Sequence, residues 1–160
     1  MGIAEVEGIH AFFSQYRISV TYLEHEAVVT SEDAARTRGF ALKQGIKAIV
    51  LTNGNDWLVV DVSADKKVNM KAVAEKKGWS KGKIRMATAE EVMEKTGCEI
   101  GAVPPFGHKE SIPLFVDVGI FENTESTFNI GLRTHSVKLK TADVKKVFDI
   151  LHAEIGSFSS

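Results

Sequence analysis

Residues 45–62 read GIKAIVLTNGNDWLVVDV, two β-rich runs on either side of Asn53-Gly54. Branched and aromatic side chains at this density suit a pleated, covered surface, and an Asn-Gly pair supplies the positive φ angles of a tight hairpin. The stretch is therefore read as an antiparallel hairpin, and the rest of the chain must cover it. Upstream, residues 4–16 carry Val6, Ile9 and Phe13 on one side of an amphipathic helix. SVTYLEH (19–25) reads as a strand, and TSEDAARTRGF (30–40) as a capped helix ended by Gly39.

Downstream, Asn69 is placed to cap a helix running to about Lys77, and Thr88 with Glu91 has capping-box spacing for a helix that Gly97 ends. PLFVDVGIF (113–121), STFNIGL (126–132) and HSVKLK (135–140) read as strands. A final helix starts at Thr141, with Val144, Val147, Phe148, Leu151 and Ile155 in one apolar stripe. Strands and helices mix without regular βαβ alternation. The expected fold is α+β, a mixed and partly closed β-sheet flanked by helices, in a single domain over residues 1–160.

The 160 residues are 44% hydrophobic and 26% charged, as expected of a globular domain able to bury its own core. A net charge of -1 excludes a protein that coats nucleic acid through bulk positive charge, but not a local basic face. Glu5 and Glu7 break the pattern of a signal peptide and no apolar run reaches membrane-spanning length, so a cytoplasmic protein without a membrane partner is expected. The single Cys98 excludes an intrachain disulfide; it reads as a buried small side chain, since no histidine spacing marks it as a nucleophile. His10, His25, His108, His135 and His152 show no zinc spacing, and neither a Walker loop nor a dinucleotide fingerprint occurs. Neither metal nor cofactor is expected.

Four features invite a functional reading. In GAVPPFGHK (101–109) Val103-Pro104-Pro105 makes a stiff rod, while Gly101 and Gly107 allow positive φ or close ligand approach; a rigid surface turn would look the same. Period two puts Lys47 on the strand face of Ile49 and Leu51, where an ammonium either snorkels to water or meets an anionic or carbonyl-bearing ligand. Asp117 is either a polar strand position or a group that orients a neighbour. Lys66, Lys67, Lys71, Lys76, Lys77, Lys81, Lys83 and Arg85 face one acid, Glu75, with Trp79 available for stacking. That run is either a solvated face or a phosphate contact.

GIKAIVL, GCEIGAVPPFGHK, PLFVDVGIF and FNIGLRTHSVKLKTADV stand in the order and at about the spacing of the YbaK and prolyl-tRNA synthetase-associated editing-domain family, which the chain resembles over about residues 20–150. The resemblance implies a freestanding, ProX-type aminoacyl-tRNA deacylase acting in trans. Its substrate would be mischarged tRNA, first alanyl-tRNA for proline, with cysteinyl or other aminoacyl esters, or a silent binding module, as alternatives. It makes tRNA the partner, with prolyl-tRNA synthetase a second candidate. The family's strand lysine matches Lys47, implying contact with the terminal nucleotide or its phosphate. Its GxxxP loop matches Gly101 to Pro105, implying that Gly101, Ala102, Val103, Pro104, Pro105, Phe106 and Gly107 surround the aminoacyl carbonyl. The prolines have no N–H, so oxyanion donors must come from Gly101, Ala102, Val103, Phe106 or Gly107. His135 matches a histidine that some relatives use and others lack. Ile130 stands where relatives carry a small residue. With tRNA as substrate, Lys76, Lys77 and Lys81 become candidate backbone contacts. The resemblance also implies that the ribose 2′-hydroxyl beside the ester helps to activate water.

Overall fold

The computed structural model describes residues 2–27, 41–80 and 82–160; the helix expected within 30–40 and Lys81 lie outside them. The hairpin is present. β2 (Ile46–Thr52) pairs antiparallel with β3 (Trp57–Ser63), Lys47 opposite Val62 and Leu51 opposite Leu58. Its turn differs from the expected two-residue one. Four residues, 53–56, connect the strands, and only Gly54 among them has positive φ, at 99°. Asn53 works through its side chain, whose Oδ1 accepts from the amides of Asn55 at 3.0 Å and Asp56 at 2.7 Å.

Around the hairpin the strands form two sheets that do not close into a barrel. One has the order β4 (Arg85–Met86), β2, β3, β5 (Leu114–Asp117), β8 (Glu154–Gly156), antiparallel up to β3 and parallel beyond it. The other is antiparallel, in the order β1 (Thr21–Glu24), β7 (His135–Lys140), β6 (Glu125–Asn129). A bridge between Gly45 and Thr127 joins them. The two-residue β4 and the three-residue β8 escaped the sequence reading because strands so short show no period.

Caps fall where the sequence places them. Asn69 Oδ1 accepts from Ala72 N at 3.1 Å to start α2 (Met70–Lys77), and Thr88 and Glu91 exchange both bonds of a capping box to start α3 (Ala89–Thr96). α1 (Ile3–Gln15) buries Ile9 and Phe13. α4 (Thr141–Ile150) buries Val144, Val147 and Phe148, but it stops before the expected stripe does. Leu151 is exposed, and Ile155 sits on β8 opposite Val116.

Each face of the larger sheet has its own apolar cover. Leu51, Leu58, Val60 and Val62 pack with Val73 of α2, Phe115 and Phe158. On the opposite face Val50 and Val59 pack with Val92 of α3 and with Val103, while Ile46 and Val116 join a larger cluster around Phe106, Phe128 and Phe148. Asp117 has a structural task. Its carboxylate accepts from Gly119 N, Phe158 N and Ser159 Oγ at 2.7–3.0 Å, pinning the C-terminal segment to β5.

Candidate active site

The loop from Gly101 to Gly107 is tightly constrained. Its end glycines have φ of 89° and 78°, values that a residue bearing Cβ adopts only with strain. It is not a surface turn, because Ala102, Pro104, Pro105 and Phe106 are all buried. Phe106 anchors it, with ring centroids 5.7–6.3 Å from those of Phe12, Phe13, Phe128 and Phe148.

Side chains from other elements hold the loop's carbonyls. Asn129, at the end of β6, donates through Nδ2 to Gly101 O at 2.6 Å. Arg133 donates to Ile100 O through Nε and Nη2, at 3.1 and 2.5 Å, and its Nη1 pairs with Glu99 at 2.9 Å. His108 Nε2 lies 2.7 Å from Pro104 O and must donate, since a carbonyl can only accept. Burial holds the His108 ring below its ordinary pKa, with the Pro104 bond opposing, so it serves at neutral pH as a neutral donor. Behind Asn129, Ser136 Oγ donates to Asn129 Oδ1 at 3.1 Å and lies 2.8 Å from His25 Nε2. A polar chain thus runs from His25 through Ser136 and Asn129 to the Gly101 carbonyl. With these carbonyls engaged, the loop's amides remain. Among the described residues, only Ala102 of the five candidate donors bonds a backbone carbonyl, that of Glu99 at 2.9 Å.

α1 braces the same region. Gly2 N donates to Gly97 O at 3.0 Å. A Cβ at Gly131 would stand 2.7 Å from Gly2 O, and one at Gly107 3.1 Å from Ile9 Cγ1. The turns on both sides of the site therefore close against the helix.

The other expected residues occupy separate places. Lys47 is half-buried, and its Nζ donates to Ala64 O at 3.4 Å. Alternation along β2 puts it on the face of Ile49 and Leu51, whereas Val103 packs on the face of Val50. Lysine and loop approach β2 from opposite faces. His135 does not reach the loop through its ring nitrogens: Nδ1 lies 2.7 Å from Thr134 Oγ1 and Nε2 3.1 Å from Glu24 Oε1. The next residue along β7, Ser136, points the other way, to Asn129.

Lys76 is exposed on α2, with Nζ 3.7 Å from Glu154, and Lys77 is half-buried. Trp79, one candidate stacking surface in the sequence, packs against the cluster that includes Val73. Burial pushes the Cys98 thiol up to about 12, with the Glu5 charge adding to the rise, so it remains a neutral core side chain.

His25, Asn129, Ser136, His108 and Arg133 were not singled out as site residues by the sequence reading. Only the position of His108, directly after Gly107, hinted at its bond; the chain from His25 joins segments 111 residues apart in sequence.

Comparison with known proteins bears on the family and the fold. The aminoacyl-tRNA editing domain family matches residues 25–147. Over 142 residues the chain is 36% identical to the multifunctional Ser/Thr-tRNA deacylase ProXp-y of Escherichia coli K12, covering 86% of this chain and 84% of that protein. It is 28% identical over 122 residues to the proline–tRNA ligase of Trichlorobacter lovleyi, covering 76% of this chain but 20% of the ligase. A solved structure of a candidate trans-editing enzyme for prolyl tRNA synthetase superposes with a TM-score of 0.81 at 21% identity, covering 98% of this chain and 97% of that one. With three quarters of its length inside the family match and a relative of that name at this identity, the chain belongs to the aminoacyl-tRNA editing domain family.

Proposed function

We propose that this chain is a freestanding deacylase that removes a small, wrongly attached amino acid from tRNA by hydrolysing its ester. The reaction class is that of the family to which the chain belongs. The observation that carries it to this site is the loop held by its carbonyls. Asn129 and His108 engage Gly101 O and Pro104 O, while the amides of Gly101, Val103, Phe106 and Gly107 are not taken by backbone partners among the described residues. Donors fixed in this way need little reorganisation as an ester carbonyl develops negative charge.

Alanine on proline tRNA is the amino acid that the sequence resemblance favours. The name of the Escherichia coli relative supports serine and threonine instead, and all three make the same kind of ester. We put the hydroxylated amino acids first. Lys47 is assigned to the terminal nucleotide or its phosphate. Because it stands on the other face of β2, the acceptor end would cross the start of that strand, where Gly45 meets Thr127. Lys76, Lys77 and Lys81 are assigned to the tRNA backbone.

Water activation falls to the substrate. His135 is engaged by Glu24 and Thr134, and Ser136 is buried behind Asn129 and suits support of the loop rather than attack on an ester. The ribose 2′-hydroxyl beside the ester is already within reach of the reacting carbon, an advantage of proximity that no side chain has to supply. The test is a mischarged tRNA ending in 2′-deoxyadenosine with the amino acid on the 3′ oxygen. It should bind as well as the normal substrate and turn over far more slowly. Hydrolysis at the normal rate would put the base in the protein, with His135 first to be mutated.

A further inference from the structure

Asp61 is fully buried in β3, and among the described residues neither Oδ1 nor Oδ2 meets a hydrogen-bond partner. The strand register fixes where the carboxyl points. It stands across from Ala48 on β2 and Val116 on β5 and shares their face with Val59. Ala48 and Val59 belong to the cluster against which Val103 packs, and Val116 to the cluster around Phe106. Asp61 therefore lies in the seam between two apolar clusters, on the face that the Gly101–Gly107 loop spans. Burial raises its pKa well above the usual carboxylate range, so in this seam it keeps its proton. An unmet carboxyl there destabilises the fold, and residues of that kind gather where binding or chemistry makes use of them.

We propose that Asp61 is the specificity residue of the aminoacyl pocket, where its carboxyl takes the side-chain hydroxyl of a seryl or threonyl ester held by the loop. The inference rests on the deacylase reading above. A protonated carboxyl offers one donor and an acceptor, and a hydroxyl offers the same complement, so each satisfies the other without burying a net charge. The α-ammonium common to all aminoacyl esters only donates, so it leaves the carboxyl's own donor unmet and brings a charge into an apolar seam. An alanyl methyl leaves both carboxyl atoms unmet. Sites built to bond a hydroxyl reject the analogue lacking it by as much as ~10⁴-fold. Val103 is the loop residue that packs on this part of the face.

The experiment compares one tRNA charged with serine, threonine or alanine in single-turnover deacylation by the wild type, Asp61→Asn and Asp61→Ala, with thermal melts of each protein. The wild type should favour seryl over alanyl ester by ~100-fold or more. Asp61→Asn keeps a donor and an acceptor and should retain most of that ratio. In Asp61→Ala the ratio should collapse toward one, while the melting temperature does not fall. An unchanged ratio in Asp61→Ala, or a wild type that favours alanyl ester, overturns the role of Asp61 and leaves the deacylase standing. A wild type that hydrolyses none of the three esters overturns the deacylase reading, and this proposal with it.

Discussion

Replacing Asp61 by asparagine should change the pH dependence of stability in a direction that follows from its burial. The folded chain holds a proton on Asp61 that the unfolded chain, with an ordinary aspartate near pH 4, releases. Above that pH the native state binds one more proton than the unfolded state, so this residue's contribution to stability falls as pH rises, until Asp61 ionises within the fold. One proton corresponds to a tenfold change in the folding equilibrium constant per pH unit, or roughly 3 to 6 °C in Tm for a chain of this length. The residues sharing its face, Ala48, Val59 and Val116, carry no charge that would offset the effect. Asparagine has nearly the same shape but does not titrate. Urea melts of both proteins at pH 4, 5, 6 and 7 therefore isolate the term as a difference: near zero at pH 4, then growing in favour of Asp61→Asn by up to about one factor of ten per unit and levelling off where Asp61 ionises within the fold. Other titrating groups cancel between the two proteins. Parallel stability curves across the range would refute the reasoning, because they would mean that Asp61 ionises normally and is therefore solvated or paired.

Lys47→Ala should lower deacylation by ~10- to 100-fold, the loss expected for a charged group bonded to the terminal nucleotide, while circular dichroism and Tm stay close to wild type. Wild-type kinetics in a folded variant would remove Lys47 from the site. Replacing Lys76 and Lys77 by alanine should flatten the log–log salt dependence of tRNA binding by about 0.7 to 0.9 for each phosphate that the protein no longer neutralises. An unchanged slope would return them to the role of a solvated helix face.

Much of the fold was legible because its signals are local. Asn69, Thr88 with Glu91, and the alternating run from Ile46 act on residues a few positions away, and each forms the element expected of it. The hairpin turn was misjudged in detail because Asn53 can serve either by adopting positive φ or by bonding with its side chain, and sequence does not choose between them. The last helix was read too far because Ile155 continues the helical period by coincidence while belonging to β8. Trp79 beside lysines looked like a stacking surface, but the pairing of β2 and β3 builds an apolar floor beneath it that no window around residue 79 contains. The same limit applies to the site. Gly101 and Gly107 announced their conformations, whereas the bonds of Asn129, Ser136 and His25 exist only once β1, β6 and β7 lie side by side. Asp61, within VVDV, showed no local sign of lacking a partner.

The helix at the start of the chain lies wholly outside the residues that match the family, 25–147, yet it clamps the turns at Gly97, Gly107 and Gly131. The boundary drawn by sequence similarity is thus not the mechanical boundary of the site. A segment trimmed to the matched residues would keep every side chain assigned to binding and lose the splint that sets the loop's pose. Turnover should suffer there before ligand recognition does. Conversely, anything that loads or covers the first dozen residues gains a lever on a loop it never touches.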